Sequence, residues 1–249
     1  MAGHSHWAGI KHKKALVDAK RGKLWSKLAK AIIVAAKLGG GDPDSNIRLR
    51  AAIDEAKAVS LPKENIQRAI KRGTGSGDSE QYDEVVYEWY GPNGVAVLCE
   101  GLTDNRNRTA PEIKKIFEVC GGKLGASGCV AWNFEKKGMF LIPAGERNED
   151  ELMELALEAG ADDVQQAEEG QFEITCSPTA YDTVAKALEG AGIVPEAVQL
   201  SLIPKDTAKI EDAETAALVL KLIEMLDDHD DIQTVSSNYT IPDEIMEQL

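Results

Sequence analysis

Apolar residues recur at helical spacing near the start of the chain. Leu24, Leu28 and Ile32 follow one another at intervals of four residues, which places them on one side of an α-helix. Three consecutive glycines at positions 39–41 stop the run, because glycine readily adopts the left-handed backbone that closes a helix. The pattern therefore predicts an amphipathic helix that ends at these glycines.

Two more helices are predicted before the next glycine-rich stretch. The second opens at the Asp-Pro-Asp sequence of residues 42–44 and turns Ile47 towards a shared core. The third opens near Pro62, a residue that suits the first turn of a helix, and ends at Gly73. Three short helices with tight links predict a small helical domain.

After the glycine- and serine-rich sequence of residues 73–79, the pattern changes to mixed strands and helices. Apolar runs bounded by turn residues predict two pairs of neighbouring strands, residues 85–90 with 95–99 and residues 130–134 with 139–142. Between the two pairs, the sequence from Thr109 to Glu112 is a capping box, which predicts the start of a helix there.

The remaining elements predict how the α+β part is organised. Residues 138–203 follow the order β-α-β-β-α-β of a ferredoxin-like unit, and a later helix and strand (213–226 and 232–236) fit back onto residues 82–120. The predicted fold class is α+β and multi-domain, with an N-terminal three-helix domain plus two α+β domains, one ferredoxin-like and inserted in the other. The predicted units are a flexible basic arm (1–22), the helical domain (23–78), an α+β domain (79–136 with 204–249) and the inserted ferredoxin-like domain (137–203).

Charge is divided unevenly along the chain. Residues 1–72 hold 16 lysines and arginines against 6 aspartates and glutamates, a net charge of +10, whereas the remainder carries −24 and the whole chain −14. A basic segment joined to an acidic body is typical of a protein that binds nucleic acid through the basic segment. An ordinary solvated surface would also tolerate such a run of charge.

The basic residues of the first helix share one face beside the apolar stripe. Lys23, Lys27, Lys30 and Lys37 lie at spacings of four, three and seven residues. Ammonium groups about 6 Å apart match the spacing of phosphates along a strand. Other basic residues extend this predicted nucleic-acid-binding surface: Lys11, Lys13, Lys14, Lys20, Arg21, Arg48, Arg50, Arg68, Lys71, Arg72, Arg106 and Arg108.

The sequence from Thr103 to Thr109 (Thr-Asp-Asn-Arg-Asn-Arg-Thr) places polar and basic side chains between a predicted strand and a predicted helix. One interpretation is a site that donates hydrogen bonds to an anion at the helix N-terminus. The other is an Asx turn that caps the helix. The residues alone favour neither.

Carboxylates crowd residues 227–231, Asp-Asp-His-Asp-Asp. They could bind Mg²⁺ for nuclease chemistry centred on Asp228 and Asp231, but a solvated turn after a helix is the favoured interpretation. The sequence holds no phosphate-binding glycine motif, no Cys/His metal spacing and no arrangement typical of a catalytic triad. We therefore predict no cofactor, no metal and no enzymatic activity, and we expect the four cysteines to be buried, reduced thiols.

The partners follow from the same patterns. No apolar run approaches the roughly 20 residues that cross a membrane, and no apolar signal core follows the first charges. We expect a cytoplasmic protein without a membrane partner. Nucleic acid, either DNA or rRNA, is the predicted partner. The oligomeric state is open, with a monomer favoured.

Several long motifs resemble the YebC/PmpR family over essentially the full chain. They are Gly3 to Trp7, Ile10 to Lys13, Asp18 to Lys23, Ser26 to Leu28, Gly40 to Pro43, Asn65 to Ile66, Arg68 to Lys71, Thr103 to Asn105, Asn107 to Thr109, Gly122 to Gly125, and Trp132 with Phe134. Trp25 stands where this family usually has phenylalanine, and we expect it to be buried. This and the other departures remove no basic position.

The resemblance implies the three-domain architecture described above and a DNA-binding transcriptional regulator. Bacterial and mitochondrial relatives are also linked to translation. The resemblance therefore implies an alternative, a translation factor that associates with the ribosome and its rRNA and relieves stalling at proline-rich stretches.

Overall fold

The computed structural model describes residues 21–75, 82–126, 128–143, 145, 149–167 and 170–249. The described part of residues 132–207 forms one compact unit, and the described residues before and after it form the other. A helical N-terminal region precedes two sheet-containing domains, which confirms the predicted α+β multi-domain fold class. Within the described ranges, no helix combines the length and the apolar character that a membrane span needs.

The helical domain consists of α1 (Arg21–Gly39), α2 (Ile47–Ala58) and α3 (Lys63–Thr74). Its core is aliphatic and is built from all three helices and the turn before α3, including Leu28, Ile32, Leu49, Ile53, Leu61 and Ile66. Helices α1 and α3 approach closely at Gly73, where a Cβ atom would lie 2.4 Å from the carbonyl oxygen of Ile33 and 2.8 Å from the Cβ of Ala36. Any side chain at position 73 would therefore separate the two helices.

Helix α2 begins later than predicted, and Asn46 is the reason. The Asn46 side chain accepts a hydrogen bond from the Leu49 amide (3.1 Å) and donates to the carbonyl oxygens of Ala35 (2.9 Å) and Gly40 (2.8 Å). It therefore caps α2 and joins its start to the end of α1. The predicted start at residues 42–44 is wrong. Ile47 follows this cap with 60% of its surface exposed, so the predicted core position is also wrong.

The second domain of the same unit consists of β1 (Asp83–Tyr90), β2 (Ala96–Thr103), α4 (Arg106–Val119), β3 (Lys123–Leu124), β8 (Ala208–Lys209), α7 (Ala213–Asp227), β9 (Ile232–Ser237), β10 (Tyr239–Thr240) and α8 (Asp243–Met246). Four of these strands form an antiparallel sheet in the order β3-β1-β2-β9. Helices α4 and α7 share a core with the sheet, in which Trp89 of β1 stacks on Phe117 of α4 with ring centroids 4.6 Å apart.

The other unit is the ferredoxin-like domain inserted between β3 and β8. Its elements are β4 (Phe134–Ile142), α5 (Glu149–Glu158), β5 (Ala161–Gln166), β6 (Phe172–Cys176), α6 (Tyr181–Gly190) and β7 (Ala197–Pro204). The sheet order β5-β6-β4-β7 is wholly antiparallel, as a ferredoxin-like unit requires. Asn133 fastens the two ends of the insertion together, because its side chain bonds both the amide (2.9 Å) and the carbonyl oxygen (3.0 Å) of Asp206.

Strand β4 runs without a break through residue 138, so the predicted strand pair of residues 130–134 and 139–142 is wrong. Gly138 suggested a turn, but it serves a close contact inside the strand. A Cβ atom there would lie 2.6 Å from the Tyr181 ring and 2.9 Å from the sulfur of Cys176. Glycine within a strand often marks such an approach rather than a turn.

Glu88 of β1 holds the chain just before it leaves the sheet for the insertion. Its carboxylate accepts hydrogen bonds from the amides of Gly128 (2.6 Å), Val130 (3.0 Å) and Ala131 (2.8 Å). Partial burial raises the pKa of Glu88, but the three amides outweigh it and the net pKa lies below its ordinary value. The loop is thus fixed by one charged acceptor.

Replacing Glu88 with glutamine should lower the free energy of unfolding by about 1–2 kcal/mol, because hydrogen bonds to a charged acceptor are about twice as strong as neutral ones. Chemical denaturation measures this loss, and hydrogen exchange should accelerate at the amides of residues 128, 130 and 131. The control is Glu135→Gln at an exposed strand position, which should change stability by less than about 0.5 kcal/mol. Equal values for the two variants would contradict the assignment.

Candidate nucleic-acid interface

Helix α1 carries Lys23, Lys27 and Lys30, which we call the lysine row. In this structure the row contacts residues 227–231, which we call the acidic loop. The loop begins at the last residue of α7 and ends at the residue before β9. Lys23 Nζ donates to Oδ2 (3.0 Å) and to the carbonyl oxygen (3.2 Å) of Asp228. Lys27 Nζ donates to the carbonyl oxygen of Asp227 (2.5 Å). Lys30 Nζ donates to the carbonyl oxygen of Asp230 (3.1 Å) and to Asp231 Oδ1 (3.0 Å). Three of the lysines predicted to meet phosphates therefore meet an internal anionic segment.

Exposure differs along the lysine row. The side chain of Lys23 is 48% exposed and that of Lys30 is 19% exposed, whereas Lys27 is buried. Burial lowers the pKa of Lys27, and the negative charges of Asp227 and Asp230 oppose this shift only in part. A phosphate can reach Lys23 while the acidic loop is in place, but it can reach Lys27 only after the loop has moved.

Asp231 anchors the acidic loop to the α+β domain. One of its carboxylate oxygens accepts hydrogen bonds from Arg108 (2.6 Å), Thr109 (2.8 Å) and Thr103 (3.1 Å), and the other accepts the bond from Lys30. Burial raises the pKa of this carboxyl group, but the hydrogen bonds from Arg108, Thr109 and Lys30 outweigh burial and hold it well below its usual range. Asp231 is therefore a buried carboxylate with two cationic partners and two hydroxyl partners.

Both interpretations of the sequence from Thr103 to Thr109 apply. Asn105 caps α4 by accepting hydrogen bonds from the amides of Asn107 (3.1 Å) and Arg108 (3.2 Å). The helix thus begins at Arg106, and the capping box predicted to start it at Thr109 is wrong. The same sequence also donates to an anion, and that anion is the chain's own Asp231.

The interpretation of residues 227–231 as a solvated turn fits the exposed Asp230 but is wrong for Asp231. Asp231 is only 3% exposed. His229 is also engaged, because its Nδ1 accepts a hydrogen bond from the Asp231 amide (3.1 Å) and its Nε2 lies 3.1 Å from Glu112 Oε2. Among the residues that the structure describes, no group of three or more histidines, cysteines and carboxylates could hold a metal ion.

Three of the other predicted contact residues form polar contacts within the unit. Arg48 of α2 forms an ion pair with Glu84 of β1. Arg50 donates to carbonyl oxygens of the preceding turn, and Arg106 forms an ion pair with Asp83 (2.9 Å). The Arg48 pair joins the helical domain to the sheet, the Arg50 bonds brace a turn, and the Arg106 pair joins the start of α4 to β1. These contacts give the three arginines a structural role.

The remaining described candidates are Lys37, Arg68, Lys71 and Arg72, which we call the cation cluster. All four side chains are exposed. Helices α1 and α3 approach at Gly73, which places the last turn of α3 beside Ala36 and so near Lys37. Lys37, Lys71 and Arg72 lie in the last turns of their helices, where cations also complement the helix dipoles. The exposure of all four side chains leaves them accessible to an anionic partner.

A groove of about 280 Å³ lies on the helical domain beside the cation cluster. Arg68 and Arg72 line one part of it, together with Asn65. Trp25 also lines the groove and donates from Nε1 to the carbonyl oxygen of Val59 (3.2 Å). Trp25 is thus half-buried, where burial was expected.

The rest of the predicted nucleic-acid-binding surface consists of side chains outside those that the structure describes. Lys11, Lys13, Lys14 and Lys20 precede the first described residue, and Arg21 begins α1 without a described side chain. Their role in binding stays a prediction. The pairing of the lysine row with the acidic loop did not follow from residue spacing in the sequence. The opposite charges of α1 and residues 227–231 were the one sign of this pairing in the sequence, since the most basic helix and the densest acidic cluster belong to one chain.

Comparison with known proteins places the chain in a family along most of its length. Residues 5–76 match the model of the TACO1/YebC protein N-terminal domain, and residues 82–239 match that of the TACO1/YebC second and third domain. A probable transcriptional regulatory protein of Rhodopirellula baltica is 56% identical over 98% of both chains. A protein of the same description from Moorella thermoacetica is 51% identical over 100% of this chain and 99% of the relative.

A solved structure agrees with these matches. The crystal structure of a conserved hypothetical protein from Aquifex aeolicus superposes with a TM-score of 0.83 at 51% sequence identity, and covers 96% of this chain and 98% of that one. Fold, sequence and domain matches all lead to one assignment. The chain belongs to the TACO1/YebC family.

Proposed function

We propose that this protein is a non-enzymatic, nucleic-acid-binding regulator of gene expression that acts in the cytoplasm and binds duplex DNA. The observation that carries the proposal is the cation cluster, four exposed lysines and arginines in the last turn of α1 and the second half of α3. Exposed lysines and arginines bind phosphates without reading a sequence. The predicted residues of the basic arm, from Lys11 to Lys20, would extend the contact.

The charge distribution supports a contact that is confined to the helical domain. The whole chain carries −14, and the residues beyond position 72 carry −24. An acidic body repels a polyanion, so an approaching nucleic acid is steered towards the basic segment. This arrangement favours one orientation of the bound protein.

The curated relatives support regulation of transcription. The proteins from Rhodopirellula baltica and Moorella thermoacetica are both described as probable transcriptional regulatory proteins. A regulator needs no catalytic residues, which agrees with the lack of a catalytic arrangement in the sequence. We propose that the protein binds as a monomer through one helical domain.

The test is equilibrium binding of the full chain to three labelled ligands at equal salt: a promoter-containing duplex, a shuffled duplex of the same composition and a folded rRNA fragment. We expect the promoter duplex to bind more tightly than the shuffled duplex and to show a footprint. Nonspecific duplex typically binds with a Kd of roughly 10⁻⁴–10⁻⁶ M at physiological salt, so a specific site should bind below that range.

Two results would change the proposal. Tight binding to the rRNA fragment, with salt-sensitive co-sedimentation with ribosomes and no footprint on DNA, would replace transcription with the translational alternative. Failure to bind any of the three ligands at low salt would overturn nucleic-acid binding altogether.

A further inference from the structure

The acidic loop occupies the lysine row as a nucleic-acid backbone would. It presents a series of anionic and carbonyl oxygens at 2.5–3.2 Å from three ammonium groups that are spaced along one helix face. Ammonium groups at this spacing also match successive phosphates. The lysine row is therefore complementary to two kinds of partner, an internal acidic segment and an external polyanion.

The contacts between the row and the loop are of the kind that can be exchanged. Lys23 and Asp228 form a pair whose side chains are 48% and 35% exposed, and exposed ion pairs are weak and screened by salt. Two of the remaining contacts end on carbonyl oxygens, those of Asp227 and Asp230, which water can satisfy equally well. No contact of Lys23 or Lys27 involves the buried carboxylate.

The carboxylate of Asp231 keeps hydrogen-bond partners when the lysine row moves away. If Lys30 withdraws, the carboxylate keeps its bonds from Arg108, Thr109 and Thr103, all of which belong to the α+β domain. The buried charge therefore stays paired when the two surfaces separate. Release of the row leaves the anchor of the loop intact.

We propose that the lysine row is a second nucleic-acid-binding surface that the acidic loop covers, and that a nucleic-acid backbone displaces the loop from it. The loop then acts as an intramolecular competitor: it weakens binding of any polyanion that cannot engage all three lysines. The inference rests on the proposed nucleic-acid binding and adds to it a covered surface and the segment that covers it.

The test compares the double variant Asp228→Asn, Asp230→Asn with the wild type in binding to a 20-base-pair duplex at fixed salt. Both substitutions remove charge from the loop, and neither touches the Asp231 anchor. The matched control is Glu151→Gln, Glu154→Gln on exposed positions of α5, which changes the net charge by the same amount. Since an exposed ion pair shifts an equilibrium by at most about fivefold, the loop variant should bind roughly two- to fivefold more tightly than the control.

Hydrogen exchange of the wild type, with and without the duplex, supplies the second measurement. The amides of Asp228, His229 and Asp231 donate to partners within or next to the loop. We expect their exchange to accelerate when the duplex is bound, because the loop loses its contacts with α1.

The outcomes are distinct. Equal affinity of the loop variant and the control, with unchanged exchange in the loop, would overturn the covered surface while leaving nucleic-acid binding in place. Absence of binding by the wild type and by both variants would overturn the proposed function itself. A gain in affinity together with faster exchange supports displacement of the loop.

Discussion

Replacing Asp231 with alanine should lower the free energy of unfolding by about 3 kcal/mol, because removing one member of a buried charged network leaves its partners without compensation. The hydroxyl groups of Thr103 and Thr109 are fully buried, and without the carboxylate they keep only their mutual bond and nearby backbone partners. Arg108 and Lys30 are partly exposed, so water compensates for some of the loss. Chemical denaturation of the full chain measures the effect.

Asp230 supplies the matched control, since it is the adjacent residue of the acidic loop and its side chain is exposed. Asp230→Ala should change stability by less than about 0.5 kcal/mol. A loss for Asp231→Ala as small as this would show that the carboxylate is not an anchor.

The pH dependence provides a further check on the same residue. The folded-state pKa of Asp231 lies below its unfolded value of about 3.9, so the stabilisation is fully present above pH 4 and is lost as the pH falls towards the folded-state pKa. The difference in stability between the wild type and Asp231→Ala should therefore be constant from pH 5 to 7 and shrink below pH 4. A difference that grows in acid would contradict the assigned charge state.

The order of the elements could be predicted because each one carries its own periodic pattern. The ferredoxin-like order of residues 138–203 and the return of the chain to the first sheet both follow from local spacing. The errors arose where a residue serves a tertiary contact. Gly138 looked like a turn but allows Tyr181 to approach, and Asn46 caps α2 because it also reaches back to α1.

The candidate site could be predicted only in part, for a related reason. Helical spacing correctly places Lys23, Lys27 and Lys30 on one face of α1. It cannot show what lies opposite that face, because the acidic loop is about 200 residues away in the sequence. Long-range pairing of complementary charges leaves no periodic signal, so a surface that suits phosphates and a surface that suits aspartates have the same sequence pattern.

The cation cluster should determine how strongly binding depends on salt. For six phosphate contacts, the affinity of the wild type for duplex DNA should fall about a thousandfold between 50 and 200 mM salt, because each contact releases counterions. The triple variant Arg68→Gln, Lys71→Gln, Arg72→Gln removes three of these contacts. Its affinity should fall only about 40-fold over the same range.

At 50 mM salt the same triple variant should bind on the order of 100-fold more weakly than the wild type, since three contacts are lost where electrostatic attraction is strongest. Titrations of the full chain at four salt concentrations measure both the affinity and its slope. Glutamine has a helix propensity close to those of lysine and arginine, so α3 should remain folded.

The control for this variant removes the same charge from the α+β domain. Lys114, Lys115 and Lys123 are exposed there, and their replacement with glutamine should leave the salt slope close to that of the wild type. If both triple variants lose affinity equally and keep the wild-type slope, net charge alone governs binding and the cation cluster is not the contact surface. A slope reduced by about three in the cluster variant alone would instead locate three of the phosphate contacts on α3.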